Sequence, residues 1–376
     1  MLFEDFYTSV EVLPNRYISP QGLVKYLQKN LSDYISIIGH SYLGKPIYKL
    51  SLGIGPTRVI GWSQMHGNES NSTHAILDML RTLDESPTLR NELFQEVTLD
   101  FILMLNPDGS KLWQRRNSLE IDLNRDFHKL SSIEFPILKD IVTKGNYNYA
   151  LNLHEQRTIF SSDGVHPATL SFLSPSQNAA RDITSTRKKA MAVIALINDK
   201  MQDLIPNHIA RYSDEFYPNS TGDNFTALGI PTILYEGGHY KDDYLRKKTR
   251  EYYTIALYYG LKAIGELKGS ERGYETYDLI PKNRESHYDI IYRNVKLNTD
   301  YNCVVDIAVQ YKEIINEGDD EISFVPIVIE VGDLSRKKGW KEIDATGKYF
   351  QCPRKFPKMD QKVDFEILDQ APLDTI

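Results

Sequence analysis

The chain has 376 residues, 41% of them hydrophobic, with 44 basic against 51 acidic side chains and a net charge of −7 at pH 7. That length exceeds what one core usually holds and supplies apolar residues for two, while the acidic balance and the lack of a dense lysine–arginine stripe argue against nucleic acid as a partner. The longest apolar run, 97–105, is strand-sized and broken by Asp100, so no membrane span is expected. The start, Met1-Leu2-Phe3-Glu4-Asp5-Phe6, lacks the basic residues and apolar stretch of a secretory signal. With only Cys303 and Cys352 present, as two thiols or one disulfide, a cytoplasmic location is expected, and a secreted one if a leader precedes Met1.

In chain order, strand-like runs at 47–52 and 58–63 lead to a helical pattern at 70–83 and a strand at 97–105. A helix at 133–142, a strand at 149–154, a helix at 185–204, a strand at 231–236 and a helix at 243–267 follow. Strands alternating with helices imply a mainly parallel sheet covered on both faces. After Lys268-Gly269-Ser270 the pattern turns to alternating β-rich segments at 288–297, 301–311 and 324–331, separated by charged turns such as Asn316-Glu317-Gly318-Asp319-Asp320. Residues 1–270 therefore read as one α/β domain and 271–376 as a small, β-sandwich-like accessory domain.

Chemistry concentrates where strands end. Met65-His66-Gly67-Asn68-Glu69 follows the 58–63 run, and its imidazole and carboxylate, three residues apart, project to one side of a helical turn. Both groups suit zinc, and a catalytic site needs a third protein ligand. His154, closing the apolar run 149–154, is the best candidate, since α/β sheets place their chemistry at the carboxyl ends of strands. His74 stands two turns from His66, too far to share its metal. His154-Glu155 does not open an H-E-x-x-H motif, because Thr158 occupies the second histidine's place, and Glu155 should point away from the metal. His239 reads as an ordinary loop histidine, with the cleft wall as the alternative, and His128 is open between the same two.

Further motifs follow in a fixed order: Asn106-Pro107-Asp108-Gly109, Arg115-Arg116-Asn117, Asp122-Leu123-Asn124-Arg125-Asp126-Phe127 and Tyr235-Glu236-Gly237-Gly238-His239. With the His66–Glu69 clip they make the chain resemble the zinc carboxypeptidase family of metallopeptidases over roughly residues 35–265. The resemblance implies a three-layer α/β/α zinc-peptidase fold with a mainly parallel mixed sheet, Zn²⁺ held by His66, Glu69 and His154, and Glu236 taking the proton of the attacking water. Zinc brings the pKa of a bound water to about 7, and a carboxylate at a strand end, partly desolvated, suits that task; a solvated strand-end carboxylate is the plain alternative.

Arg115 corresponds to the family's electrophilic arginine, standing two residues before Asn117 and seven before Asp122, with Arg116 as its competitor. Asn124 and Arg125 match the pair that grips a terminal carboxylate, a task for a planar guanidinium, unless Arg125 is bound in an ion pair with Asp122 or Asp126. Tyr217, rather than Tyr212, corresponds to the tyrosine that closes over the substrate. Asp223 falls where the pocket for the last side chain is lined, either selecting a basic residue or capping the next helical turn. One departure is Asn68, where many carboxypeptidases carry arginine; the resulting His-Gly-Asn-Glu also resembles zinc deacylases. The expected function is a zinc carboxypeptidase acting on peptides with a free C-terminal carboxylate. The alternatives are a related zinc amidohydrolase of N-acyl amino acids or cell-wall peptides, and a non-catalytic binding protein on a peptidase fold.

Overall fold

The computed structural model describes residues 2–13, 16–297, 303–316, 318 and 321–370. The amino-terminal part runs through helix α1 (Pro20–Asn30) and strands β1 (Ile35–His40), β2 (Pro46–Leu52) and β3 (Thr57–Trp62). Helices α2 (Asn71–Glu85) and α3 (Pro87–Glu96), strand β4 (Val97–Leu103) and the short α4 (Pro107–Lys111) come next, then α5 (Glu134–Lys144) and β5 (Tyr149–Glu155). The β6 (Phe160–Ser161), β7 (Leu170–Leu173), α6 (Ser185–Leu204), β8 (Ile209–Arg211), α7 (Thr221–Ala227), β9 (Thr232–Gly237) and α8 (Lys247–Leu267) segments complete this part.

Eight strands form one sheet in the order β1-β2-β4-β3-β5-β9-β7-β8. Its centre, β4-β3-β5-β9, is parallel, and β1, β2 and β7 add antiparallel pairings. The central strands are almost continuously buried because helices cover both faces. On one face α2, α3, α6 and α8 bury Leu77, Leu80, Val193, Ile197, Leu257 and Ile264 against the sheet, and on the other α5 and α7 pack Phe135, Leu138 and Phe225 around Trp62. The expected three-layer mixed sheet is thus present, with a β-rich C-terminal region after it.

The differences are local. Helix α8 starts four residues later than its apolar pattern because Asp243 accepts the backbone amides of Lys247, Lys248 and Thr249, holding the entry turn outside the helix. Strand β4 stops at Leu103 because Met104 turns to φ 51°. Strands β7 and β8 are too short to show a period, and α1, capped by the Ser19 hydroxyl, also escaped the pattern.

Beyond residue 270, strands β10 (Arg284–Glu285), β11 (His287–Lys296), β12 (Val304–Ile314), β13 (Ser323–Gly332), β14 (Lys338–Asp344), β15 (Tyr349–Gln351) and β16 (Glu366–Leu368) follow. Six of them join one sheet in which β11 pairs with β12 on one side and with β14 and then β15 on the other. Val295, Ile307, Val309, Val328 and Phe350 form its core. The expected strand start at Tyr301 and residues 317, 319 and 320 of the expected turn lie outside the described residues. Strand β10 pairs instead with β6, so the C-terminal region is stitched to the loop that follows β5.

Candidate metal centre and substrate cleft

Strand β3 ends in a loop held by its own buried polar residues. Gln64, at φ 47°, donates from Nε2 to Gly67 O and to the Ser110 hydroxyl, at 3.0 and 2.9 Å. A β-carbon on Gly67 would lie 2.1 Å from the backbone of Gly109, so two loops meet back to back where only glycine fits. The Asn106-Pro107-Asp108-Gly109 segment is therefore the support of the His66 loop: Asn106 accepts the Gly109 amide at 2.8 Å and its own amide bonds Gln64 O at 3.0 Å.

On that support His66 and Glu69 face His154 from the end of β5. Glu69 Oε1 lies 2.8 Å from His66 Nδ1 and Oε2 lies 2.8 Å from His154 Nδ1. Three ligand atoms, one from each residue, sit within 4.8 Å of one another, and all three residues are buried. Two imidazoles and a carboxylate are a donor set for zinc, and His154 Nε2 has no partner among the described residues. Burial pushes the Glu69 carboxyl up, but the two imidazoles beside it hold it far below the usual range, so it stands ionised as a ligand must. The residues fit a divalent cation.

Residues 23–198 match the sequence profile of the zinc carboxypeptidase family. The chain carries a zinc carboxypeptidase domain. With it come the family's zinc and its class, a hydrolase of the metallopeptidase type. The fold is similar to that of a metallo-carboxypeptidase from Burkholderia cenocepacia, at 14% identity and TM-score 0.53 over 67% of this chain and 70% of that one. It is similar also to carboxypeptidase A from Helicoverpa armigera, at 15% and 0.54 over 67% and 74%. A third likeness is to bovine thrombin-activatable fibrinolysis inhibitor, in complex with a tick carboxypeptidase inhibitor, at 15% and 0.55 over 67% and 98%. No curated protein sequence matches this chain.

Around the carboxypeptidase domain's metal cluster lie residues that sequence reasoning singled out and one that it passed over. Asp122 Oδ1 lies 3.1 Å from His66 Nε2 and Oδ2 accepts Arg115 Nε at 3.1 Å. Burial works to raise the Asp122 carboxyl, yet His66 and then Arg115 bring it well below its ordinary value. It fixes the His66 ring from behind, as a carboxylate would behind a metal-binding histidine, whereas the sequence suggested it only as a partner of Arg125. The Arg115 guanidinium reaches to 3.1 Å from His66 Nδ1 and 3.6 Å from Glu69 Oε1, while Arg116 turns out to Glu120 O.

Glu236 lies beyond the matched segment, and the sheet register brings it in. In the parallel pairing of β5 with β9, Glu236 stands directly opposite His154. Its Oε2 is buried without a partner among the described residues, and burial, reinforced by the Glu69 charge, pushes its carboxyl well above the usual range.

These groups line one cleft of about 930 Å³. Among them Arg125 lies over the Tyr217 ring, 5.5 Å from its centroid, and Asn124 Oδ1 accepts the Thr221 amide at 3.1 Å. Tyr217 is 48% exposed, its hydroxyl bonding Glu215, while Tyr212 lies deeper, where the Glu236 and Glu69 charges bear on it after burial has already raised its hydroxyl. Asp223 Oδ2 accepts the Tyr217 amide at 2.7 Å, and the cap of α7 is Ser220, whose hydroxyl accepts the Asp223 amide. His239 is not part of the wall: it is buried beside Tyr244 and Trp340. His128 bonds Pro218 O and His74 is buried on α2.

The cleft is also walled by Gln310, Tyr311, Lys312, Glu313 and Ile329 of β12 and β13. Glu313 bonds Arg16, at 2.9 Å from Nη2, and the Trp113 indole at 3.1 Å. Arg16 in turn binds Glu155, which also accepts the Asn71 amide and so does point away from the ligands. The C-terminal region therefore reaches the residue next to His154 through two ion pairs, a link with no sequence signal because its members lie 139 and 297 positions from Arg16.

Proposed function

We propose that this enzyme is a carboxypeptidase that removes the last residue from peptides bearing a free C-terminal carboxylate. The observation that carries the reading is the register of β5 against β9, which sets Glu236 opposite His154 in the cleft that also holds Asn124, Arg125 and Tyr217. Bound at His66, Glu69 and His154, zinc supplies a Lewis acid that makes water nucleophilic near neutral pH. Glu236, with a free oxygen and a carboxyl raised by burial, takes the proton of the attacking water and returns it to the leaving amine. Arg115 polarises the scissile carbonyl and stabilises the charge that develops on its oxygen, while Asp122 fixes both Arg115 and the His66 ring. Asn124 and Arg125 receive the substrate's carboxylate, Tyr217 closes over it from the exposed rim, and Asp223 holds the Tyr217 loop.

In this reading residues 1–270 are the catalytic domain, and 271–376 form an accessory β domain that walls the cleft. The free thiols of Cys303 and Cys352 agree with a reducing, cytoplasmic setting, and no helix among the described residues is long and apolar enough to cross a membrane. The test is a panel of free-acid peptides, their C-terminal amides and N-acyl amino acids, with bound zinc measured alongside. Release of single residues from free acids only, abolished by Glu236→Gln with zinc retained, is expected. Cleavage confined to N-acyl amino acids would replace the proposal by the amidohydrolase alternative, to which Asn68 in the His-Gly-Asn-Glu segment also belongs.

A further inference from the structure

Asn152 stands two residues before His154 on β5, so its side chain lies on the same face of the sheet, deeper in the cleft. It is completely buried, and both its Oδ1 and its Nδ2 lack hydrogen-bond partners among the described residues. Buried carboxamides in folded proteins are satisfied by something. Here the cleft is the space into which that something can come.

The surroundings narrow what it is. A β-carbon added at Gly222 would lie 3.7 Å from Asn152 Nδ2 and 3.0 Å from Pro175, so the first turn of α7 closes over the amide as bare backbone. Leu173, Pro175 and Leu234 give apolar walls. The nearby carboxylate, Asp223, accepts the Tyr217 amide on Oδ2. Asn124 reaches the same turn of α7, accepting the Thr221 amide, so a carboxylate held by Asn124 and Arg125 directs the adjoining side chain beneath Gly222.

We propose that Asn152 selects the substrate's terminal residue, and that it selects a side-chain carboxamide, glutamine or asparagine. This rests on the carboxypeptidase reading for the placement of the substrate carboxylate. A carboxamide offers one acceptor and two donors, the complement of what Asn152 lacks. A lysine or arginine would satisfy only Oδ1 and bury its charge, a glutamate only Nδ2, and a leucine neither.

Two measurements separate this inference from the reading beneath it. Zinc-loaded wild-type enzyme is assayed on peptides that differ only in a terminal Gln, Asn, Leu, Phe, Lys or Glu. Zinc-loaded Glu236→Gln, alone and combined with Asn152→Leu or with the isosteric Asn152→Asp, is titrated calorimetrically with the N-acetyl forms of the same amino acids. The expected result is kcat/KM at least ~10-fold higher for Gln or Asn than for Leu or Lys. The binding preference should follow it, pass to Leu in Asn152→Leu and pass to Lys in Asn152→Asp. Trimming without that preference, or a preference unchanged by both substitutions, overturns the role of Asn152 and leaves the carboxypeptidase standing. Selective binding of N-acetylglutamine without any trimming overturns the carboxypeptidase and leaves the pocket.

Discussion

Two buried polar clusters flank the end of β5, and they differ in how completely they are satisfied. In the first, His66, Glu69 and His154 face one another while His154 Nε2, Glu236 Oε2 and both amide atoms of Asn152 have no partner among the described residues. In the second, Arg16, Glu155, Glu313 and Trp113 are saturated: both Glu155 oxygens and both Glu313 oxygens accept hydrogen bonds. Unpaired buried polarity is costly, so within one cleft the groups left open to a ligand are distinguished from the groups that bind one another and hold the molecule together. Substitutions in the open cluster should cost activity, and substitutions in the closed one should cost stability.

The largest effect expected is at Glu236. Replacing it by Gln keeps the shape and removes the base, so kcat should fall by ~10³-fold or more, near the upper range for a general base, with bound zinc and the denaturation midpoint unchanged. A full rate in Glu236→Gln would remove Glu236 from the chemistry. His154→Ala should instead abolish zinc binding, read by metal analysis. Arg115→Ala should lower kcat by ~10²–10³-fold, the usual loss for a group that stabilises an oxyanion, whereas Arg116→Ala, at a side chain turned to Glu120 O, should stay within roughly twofold of wild type. Equal effects at the two arginines would break the distinction drawn from their geometry.

In the closed cluster, Arg16→Ala leaves Glu155 buried beside an empty place, its side chain 3% exposed. Stripping one partner from such a pair typically costs ~3–5 kcal/mol, to be read in urea denaturation. Glu313→Ala should cost less, since Arg16 keeps Glu155 and the Glu313 side chain is 22% exposed. If Arg16→Ala left stability intact but raised KM, the cluster would serve substrate binding and not the scaffold.

The same contrast explains what the sequence disclosed. Ligand motifs are short and sit at strand ends, so His66, Glu69 and His154 could be read from spacing and apolar runs, and β3, β5 and β9 from hydrophobic pattern. The placement of Glu236 opposite His154 depends on which strands pair, which the apolar runs did not specify; the family resemblance assigned Glu236 a role at the metal and no strand partner. Asp122 was visible only as one acid among several, because a carboxylate behind a ligand leaves no local pattern. Gln64, whose amide holds the His66 loop, carried no signal, since its left-handed backbone and its three bonds appear only once α2 and α4 are packed around it. The tie from Arg16 to Glu313 crosses nearly the whole chain, and no spacing rule reaches that far.

The smallest effect expected concerns how the C-terminal region is fastened beside this site. Trp340 donates to Thr158 O at 2.7 Å, in the loop after β5, and its ring stacks on His287 at 3.7 Å with His239 5.4 Å away. Burial, with Arg246 beside it, lowers His239 to about 3, and burial, with Lys338 beside it, lowers His287 to about 4. Both rings are therefore neutral in the folded protein at neutral pH, while in the unfolded chain they take up protons below about 6.5. The unfolded state then binds more protons, so the stability these rings contribute is complete above about pH 6.5 and is lost as pH falls through 4 and 3. Urea midpoints should accordingly drop between pH 7 and pH 5, and His287→Phe, which keeps a ring on Trp340 but removes the proton site, should drop less steeply. An equal slope in the variant would mean that acid loosens the protein elsewhere, for instance at His208, just before β8, which burial and the neighbouring His166 lower to about 4.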